Sequence, residues 1–366
     1  MNNHSVAKTR TWYPPMVKGL ATSACALVML AACDSSAAVP PASETPSISS
    51  ADTPAASLRV HADLLLAEHV FVIAKLAAAA GAGRQDEFHS YAGLLAANGG
   101  DIEALLRTAI GETAGARFGA AWAEQNNSLV DYVVAAVTQD ESAGGSALSS
   151  LTGTAVPDIA AALESGFTIS SAEATKLAGD HVTLLKTVVD DVASANYAGL
   201  YADIVSARTQ AVTFGDTVAL QVARQFSDRF PGDATTKAAV FRTNLNALLQ
   251  QQGYLLTMAT DGTDANASAA ETTLDSSATQ LAALYGGDDW LSKTALVTSY
   301  AKSGDASTRA SVIAASPAGL TAAWTALLQV VDDQRSKEFT AVAADDRAMA
   351  AAFATAADQV SLSSPS

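Results

Sequence analysis

The strongest constraint on the fold is a spacing. Leu58, Ala62, Leu65, His69, Val72 and Leu76 follow one another at steps of three and four, the stripe of a single helix face. Such a stripe is stable only when other elements cover it. The Gly81-Ala82-Gly83 run predicts its end. A second helix is predicted from residue 85 to Asn98-Gly99-Gly100, and a third from Ile102 to Ile110. Glu112 opens a longer one carrying Phe118, Trp122, Gln125, Leu129, Tyr132, Val133 and Val137, with Gly144-Gly145 marking its end. A weaker segment breaks at Pro157. Ser170 or Ser171 then caps a helix with Leu177, His181, Leu184, Val188 and Val192 on one side, and a last helix spans 196–230 before Pro231-Gly232. Aromatic residues are only 6% of the chain, which favours close-packed helices over strands. The expected class is all-α.

Near residue 235 the pattern starts again. Asp63 to Val72 aligns with Asn246 to Leu255 at an offset of 183, Leu177 to His181 with Leu320 to Trp324 at 143, and Phe214 to Asp216 with Ala356 to Asp358 at 142. Between them, Gly111 with Gly286 requires 175, whereas Trp122 with Trp290 and Tyr132 with Tyr300 require 168. The two registers differ by one heptad, so apolar periodicity does not choose between them. Offsets that only fall along the chain predict an internal duplication giving two tandem antiparallel helical bundles, at 57–232 and 235–362.

The N-terminus sets a location. Lys8, Arg10 and Lys18 precede an apolar run that ends in Leu30-Ala31-Ala32-Cys33. This resembles a bacterial lipoprotein signal, and the resemblance implies cleavage after residue 32, lipid on Cys33 and attachment to the outer face of the cytoplasmic membrane. A Ser-, Ala- and Pro-rich stretch at 33–56 reads as a disordered tether. The signal takes three of the 21 basic residues and none of the 37 acidic ones. So acidic a chain repels phosphate backbones, which excludes nucleic acid as a partner and leaves the lipid on Cys33 as the membrane contact. No second cysteine remains to form a disulfide with Cys33 after cleavage.

The first half also resembles a family of uncharacterised exported bacterial helical-bundle proteins. The likeness rests on Leu65-Leu66-Ala67-Glu68-His69-Val70, Ala121-Trp122, Val130-Asp131-Tyr132, His181-Val182, Leu185-Lys186, and Asp216 with Ala223 to Phe230. It covers about residues 58–230. It implies a polar position on each of four helices, here His69, Gln125, His181 and Gln210, and no established activity.

The candidate site follows from the two histidines on apolar stripes, each preceded by an acid. The favoured reading is a pair of core histidines satisfied by Gln125, Gln210 or a buried acid, in a non-enzymatic binding or scaffold protein without a cofactor. The alternative is a transition metal ion held by His69 and His181 with Glu68, Asp131, Asp180 or Asp216. His61 and His89 read as partly exposed. The acid pairs Asp190-Asp191, Asp288-Asp289, Asp332-Asp333 and Asp345-Asp346 read as solvated faces or helix starts, since none has the spacing of a calcium loop. No Gly-x-Ser-x-Gly elbow or phosphate-binding glycine loop is present in the sequence, so nothing in it specifies an enzyme.

Overall fold

The computed structural model describes residues 50–260, 264–285, 289–317 and 319–363. The signal, Cys33 and the tether up to residue 49 lie outside them. The first half comprises α1 (Pro54–Gly81), α2 (Gln85–Ile110), α3 (Glu112–Thr138), α4 (Glu141–Ser150), α5 (Val156–Gly166), α6 (Ser171–Ala193) and α7 (Tyr197–Gln225). The second comprises α8 (Lys237–Thr260), α9 (Asp264–Tyr285), α10 (Trp290–Ser303), α11 (Ala306–Ala314), α12 (Thr321–Ser336) and α13 (Val342–Ser363). The fold is all-α, with no strand among the described residues.

Two helices form the centre. α1 packs on α2, α3, α6 and α7, and its remaining side meets α8, which is itself surrounded by α9, α10, α12 and α13. α1 is long and apolar enough to cross a membrane by composition, but 83% of its most apolar stretch is buried in protein, as a core helix covered on every side would be. Two further contacts cross between the halves, α7 with α9 and α2 with α13. The residues from 50 onward accordingly form one compact unit.

Local chemistry explains where helices begin and end. Thr53 caps α1 by accepting the Ala56 N–H at 3.2 Å, with Pro54 in the first turn where its missing N–H costs nothing. Ala51, Ala55 and Ala56 are already buried there, so the fold begins several residues before the predicted end of the tether. Ser170 caps α6 through the Glu173 N–H, as the sequence predicts. The glycines are a different matter. α2 runs unbroken through Gly99 and Gly100, because Gly99 is where α3 comes closest: a methyl group there would lie 3.0 Å from Asn126 Nδ2 and 3.4 Å from Trp122. Likewise α3 stops at Gln139, in a left-handed conformation, and Gly144-Gly145 sit inside α4. At Pro157 the chain stays helical, entering α5 through a π turn at Leu151–Ala155 that suits the missing donor.

Similar contacts occur in the two halves. Arg59 pairs with Asp216 between α1 and α7, and Arg242 with Asp358 between α8 and α13, at offsets of 183 and 142. Thr236 caps its helix through Ala239, as Thr53 does through Ala56. Tyr132 donates to Asp190, and Tyr300 to Asp332. His69 contacts Asn126, and Gln252 contacts Thr294. These pairs select 168 for α3 against α10. For α6 against α12 their spacing is 142 rather than the expected 143, and at that spacing the left-handed residues Ala195 and Lys337 also match.

Burial of α1 forces its polar side chains to find partners within the protein. Lys75 and Asp346 form an ion pair at 2.5 Å with side chains only 3% and 0% exposed, and Tyr91 and Thr257 also donate to Asp346. Glu68 accepts from Asn98 at 2.8 Å and from Tyr254 at 3.4 Å, and pairs with Arg347. Burial raises the Glu68 pKa, against the pull of Arg347. Both networks join α1 to the second half. Asp63 is solved differently. Burial pushes its carboxyl well above the usual carboxylate range, with neighbouring Asp216 adding to the shift against the pull of Arg59 and Arg208, which disfavours its ionised form. Its counterpart Asn246 donates to Asp358 at 2.9 Å, the role a neutral carboxyl can fill beside Asp216.

Two outcomes are expected. Asp346→Ala leaves the Lys75 ammonium buried and unpaired and should cost about 3–5 kcal/mol in chemical denaturation, most of it recovered in Lys75→Met/Asp346→Leu. An exposed-pair value, about 1 kcal/mol or less, would show that the networks do not hold the halves together. Asp63→Asn should be neutral or stabilising. The unfolded carboxyl ionises near 3.8 while the folded one resists, so Asp63 opposes folding increasingly as pH rises past that value, and the gain should be larger at about pH 7 than at about pH 4. Destabilisation at neutral pH would contradict the assignment.

Candidate functional site

Four helices of the first half meet at an aromatic and polar centre. His69 comes from α1, Trp122, Gln125 and Asn126 from α3, His181 from α6, and Gln210 and Phe214 from α7. Both histidines are sealed, at 0% and 1% exposure. Trp122 covers both rings, at 5.0 Å from His69 and 5.4 Å from His181, and Phe214 meets His181 edge-on. The rings touch: His181 Nε2 lies 3.3 Å from His69 Nδ1.

Their outer nitrogens are engaged by amides. His69 Nε2 lies 2.8 Å from Asn126 Oδ1, and His181 Nδ1 lies 3.1 Å from Gln210 Oε1. Each amide is oriented in turn by its nitrogen, which donates to a backbone carbonyl, Asn126 to Leu95 at 3.4 Å and Gln210 to Leu177 at 3.0 Å. Gln125 is fully buried, and neither of its amide atoms has a hydrogen-bond partner. Half-buried Gln210 also lines a surface groove of 550 Å³ between α6 and α7.

Low polarity around the rings suppresses their protonation. Burial lowers the His69 pKa to about 4, with the bond to Asn126 pulling the other way. Burial lowers His181 to about 3, and the neighbouring His69 adds to it. Both are neutral at physiological pH.

The structure unites the two histidines and disperses the acids proposed to join them. Glu68 faces Asn98, Tyr254 and Arg347; Asp180 is on the surface paired with Lys176; Asp216 is paired with Arg59; and Asp131 lies exposed on α3. The reason is helical: an acid adjacent in sequence to a core histidine points about 100° away from it. Among the described residues no cluster of three or more His, Cys, Asp or Glu side chains is placed to hold a metal. Of the amides expected to satisfy the histidines, Gln210 contacts His181, Gln125 contacts neither, and His69 contacts Asn126 instead. The available signal for Asn126 is its place in the buried row Trp122, Asn126, Leu129, Val133. His61 and His89 are exposed, and of the acid pairs Asp191, Asp333 and Asp346 depart from the expected solvated face, at 7%, 5% and 0% exposure. No family model, curated protein or solved structure matches the chain.

The depressed histidine values carry a sign. In the unfolded chain both rings take a proton near 6.5, but in the folded chain only at about 4 and about 3. Their contribution is therefore present above pH 6.5 and is lost as pH falls through the folded values. His69→Gln/His181→Gln should flatten the stability profile between about pH 6.5 and about pH 4 in urea denaturation. An unchanged slope would place the acid sensitivity elsewhere.

Proposed function

We propose that this protein is an exported, lipid-anchored, non-enzymatic binding module, built from two copies of one helical unit. The observation that carries the binding reading is the sealed centre of the first half. Its two imidazoles are neutral, fixed by Asn126 and Gln210, and have no carboxylate partner to move a proton with. An acid–base pair needs a substrate within hydrogen-bond reach, and rings at 0% and 1% exposure offer that only to something small enough to pass between helices. The paired contacts Arg59–Asp216 and Arg242–Asp358, and Tyr132–Asp190 and Tyr300–Asp332, support the duplication. The second copy carries Gln252 and Thr294 where the first has His69 and Asn126, as a supporting unit freed from binding would.

The location rests on the Leu30-Ala31-Ala32-Cys33 motif and its basic, apolar lead. Metabolic labelling with a fatty acid tests it. The native chain should incorporate label and fractionate with membranes, and Cys33→Ala should do neither. Label retained by Cys33→Ala would end the lipoprotein reading.

A further inference from the structure

The hydrogen bonds of the buried centre do not close. The chain of contacts runs from the Leu95 carbonyl through Asn126, His69, His181 and Gln210 to the Leu177 carbonyl. Backbone carbonyls only accept, so at each end the amide nitrogen must donate outward and the amide oxygen must face the imidazole. Each oxygen then requires a proton on the ring nitrogen beside it, placing hydrogen on His69 Nε2 and His181 Nδ1. A neutral imidazole carries one such hydrogen. His69 Nδ1 and His181 Nε2, 3.3 Å apart, are therefore both lone-pair acceptors pointed at each other.

Something positive belongs between them. A proton would serve, but it would make an imidazolium in a centre that is 0% and 1% exposed and has no carboxylate beside it to balance the charge. Reversing one tautomer only moves the conflict to an amide oxygen. A metal ion resolves it. Two nitrogens each about 2.05 Å from one ion stand roughly 3.3 Å apart at a tetrahedral angle and up to about 4.1 Å apart when the ion is two-coordinate and linear, so from the 3.3 Å found here the rings need to part by less than about 1 Å to close on an ion of low coordination number. Outer N–H groups donating to carbonyl-type oxygens are also how ligating histidines are held in the required tautomer.

The second half shows the structural alternative. At the position of His69 and Asn126, Gln252 donates to Thr294 at 2.9 Å, a single bond with no opposed lone pairs. Packing at this level thus needs no facing imidazoles.

We propose that His69 Nδ1 and His181 Nε2 bind one cuprous ion between them. Charge selects the ion. Every donor is neutral, and the cost of burying a cation rises steeply with its charge, so a divalent ion would need an anionic ligand that Glu68, committed to Asn98 and Tyr254, does not provide. Imidazole suits copper. The way in is the α6–α7 groove, where Gln210 both lines the surface and holds His181. This assignment deepens the binding reading above by naming its ligand, and its test does not depend on lipid attachment.

The test uses the full chain carrying Cys25→Ser and Cys33→Ala, which removes the thiols that would compete for copper. Anaerobic titration with Cu(I) against a chromogenic cuprous chelator should show one equivalent retained by the parent and none by His69→Gln or His181→Gln, with His61→Gln unchanged. No copper withheld from the chelator by the folded parent would overturn the proposal, as would copper retained by the His69→Gln/His181→Gln double variant. Stoichiometric Zn(II) in place of Cu(I) would overturn the charge argument. Should either variant fail to fold, the parent decides alone: Cu(I) should shift the 15N resonances of His69 Nδ1 and His181 Nε2, and unshifted resonances refute the site. Labelling at Cys33 is a separate measurement, so failure of the anchor and failure of the metal site are distinguishable.

Discussion

From Ala62 to Ala80 α1 has no exposed residue, and the rest of the molecule answers to that. A helix so enclosed has no water for its polar groups, and it carries Asp63, Glu68, His69 and Lys75. Each is met by a different element. α7 approaches Asp63, where Gly215 has no room for a side chain; α2 and α8 serve Glu68; α13 and α2 serve Lys75; α3 and α6 serve His69. For Glu68, His69 and Lys75 the positions of the helices around α1 are thus also the positions of their hydrogen-bond partners.

The same demand ties the halves together. Had the second half been a separate bundle, Lys75 and Glu68 would face water and need no partner there. Instead Asp346 and Arg347, neighbours on α13, reach back to α1, while Tyr254 of α8 stacks on Phe71 at 4.7 Å and donates to Glu68. A buried pair such as Lys75–Asp346 adds little over apolar packing but is costly to break, which makes it a register device more than a source of stability. The second half has the pairs Arg242–Asp358 and Tyr300–Asp332 and no histidine, so a framework of this kind does not depend on imidazoles at its centre.

Much of this architecture is legible in the chain. Three- and four-residue spacing predicts α1, α3, α6 and α7, and the Ser170 cap is visible before any coordinates. Gly99-Gly100 and Gly144-Gly145 mislead, because glycine serves close helix approach as well as helix ends, and spacing alone does not separate the two. His69 and His181 stand out on apolar stripes. Asn126 hides in an asparagine pair that reads as surface. Asp346 hides too, since its partner Lys75 lies 271 residues away and an acid pair ordinarily faces solvent. Contacts of that sequence separation have no periodic signature.

Two polar groups of α1 meet a partner that offers the same kind of atom, Asp63 with Asp216 and His69 with His181, and of these only the His69–His181 pair is sealed from water on both sides. That mismatch is the functional core of the account, and imidazole tautomers report it directly. Long-range 1H–15N correlation of the metal-free protein at neutral pH should show both rings neutral, with hydrogen on His69 Nε2 and His181 Nδ1 and bare nitrogens at His69 Nδ1 and His181 Nε2. A proton found on either inner nitrogen would mean that the two histidines already satisfy each other, and the cation site would lose its basis.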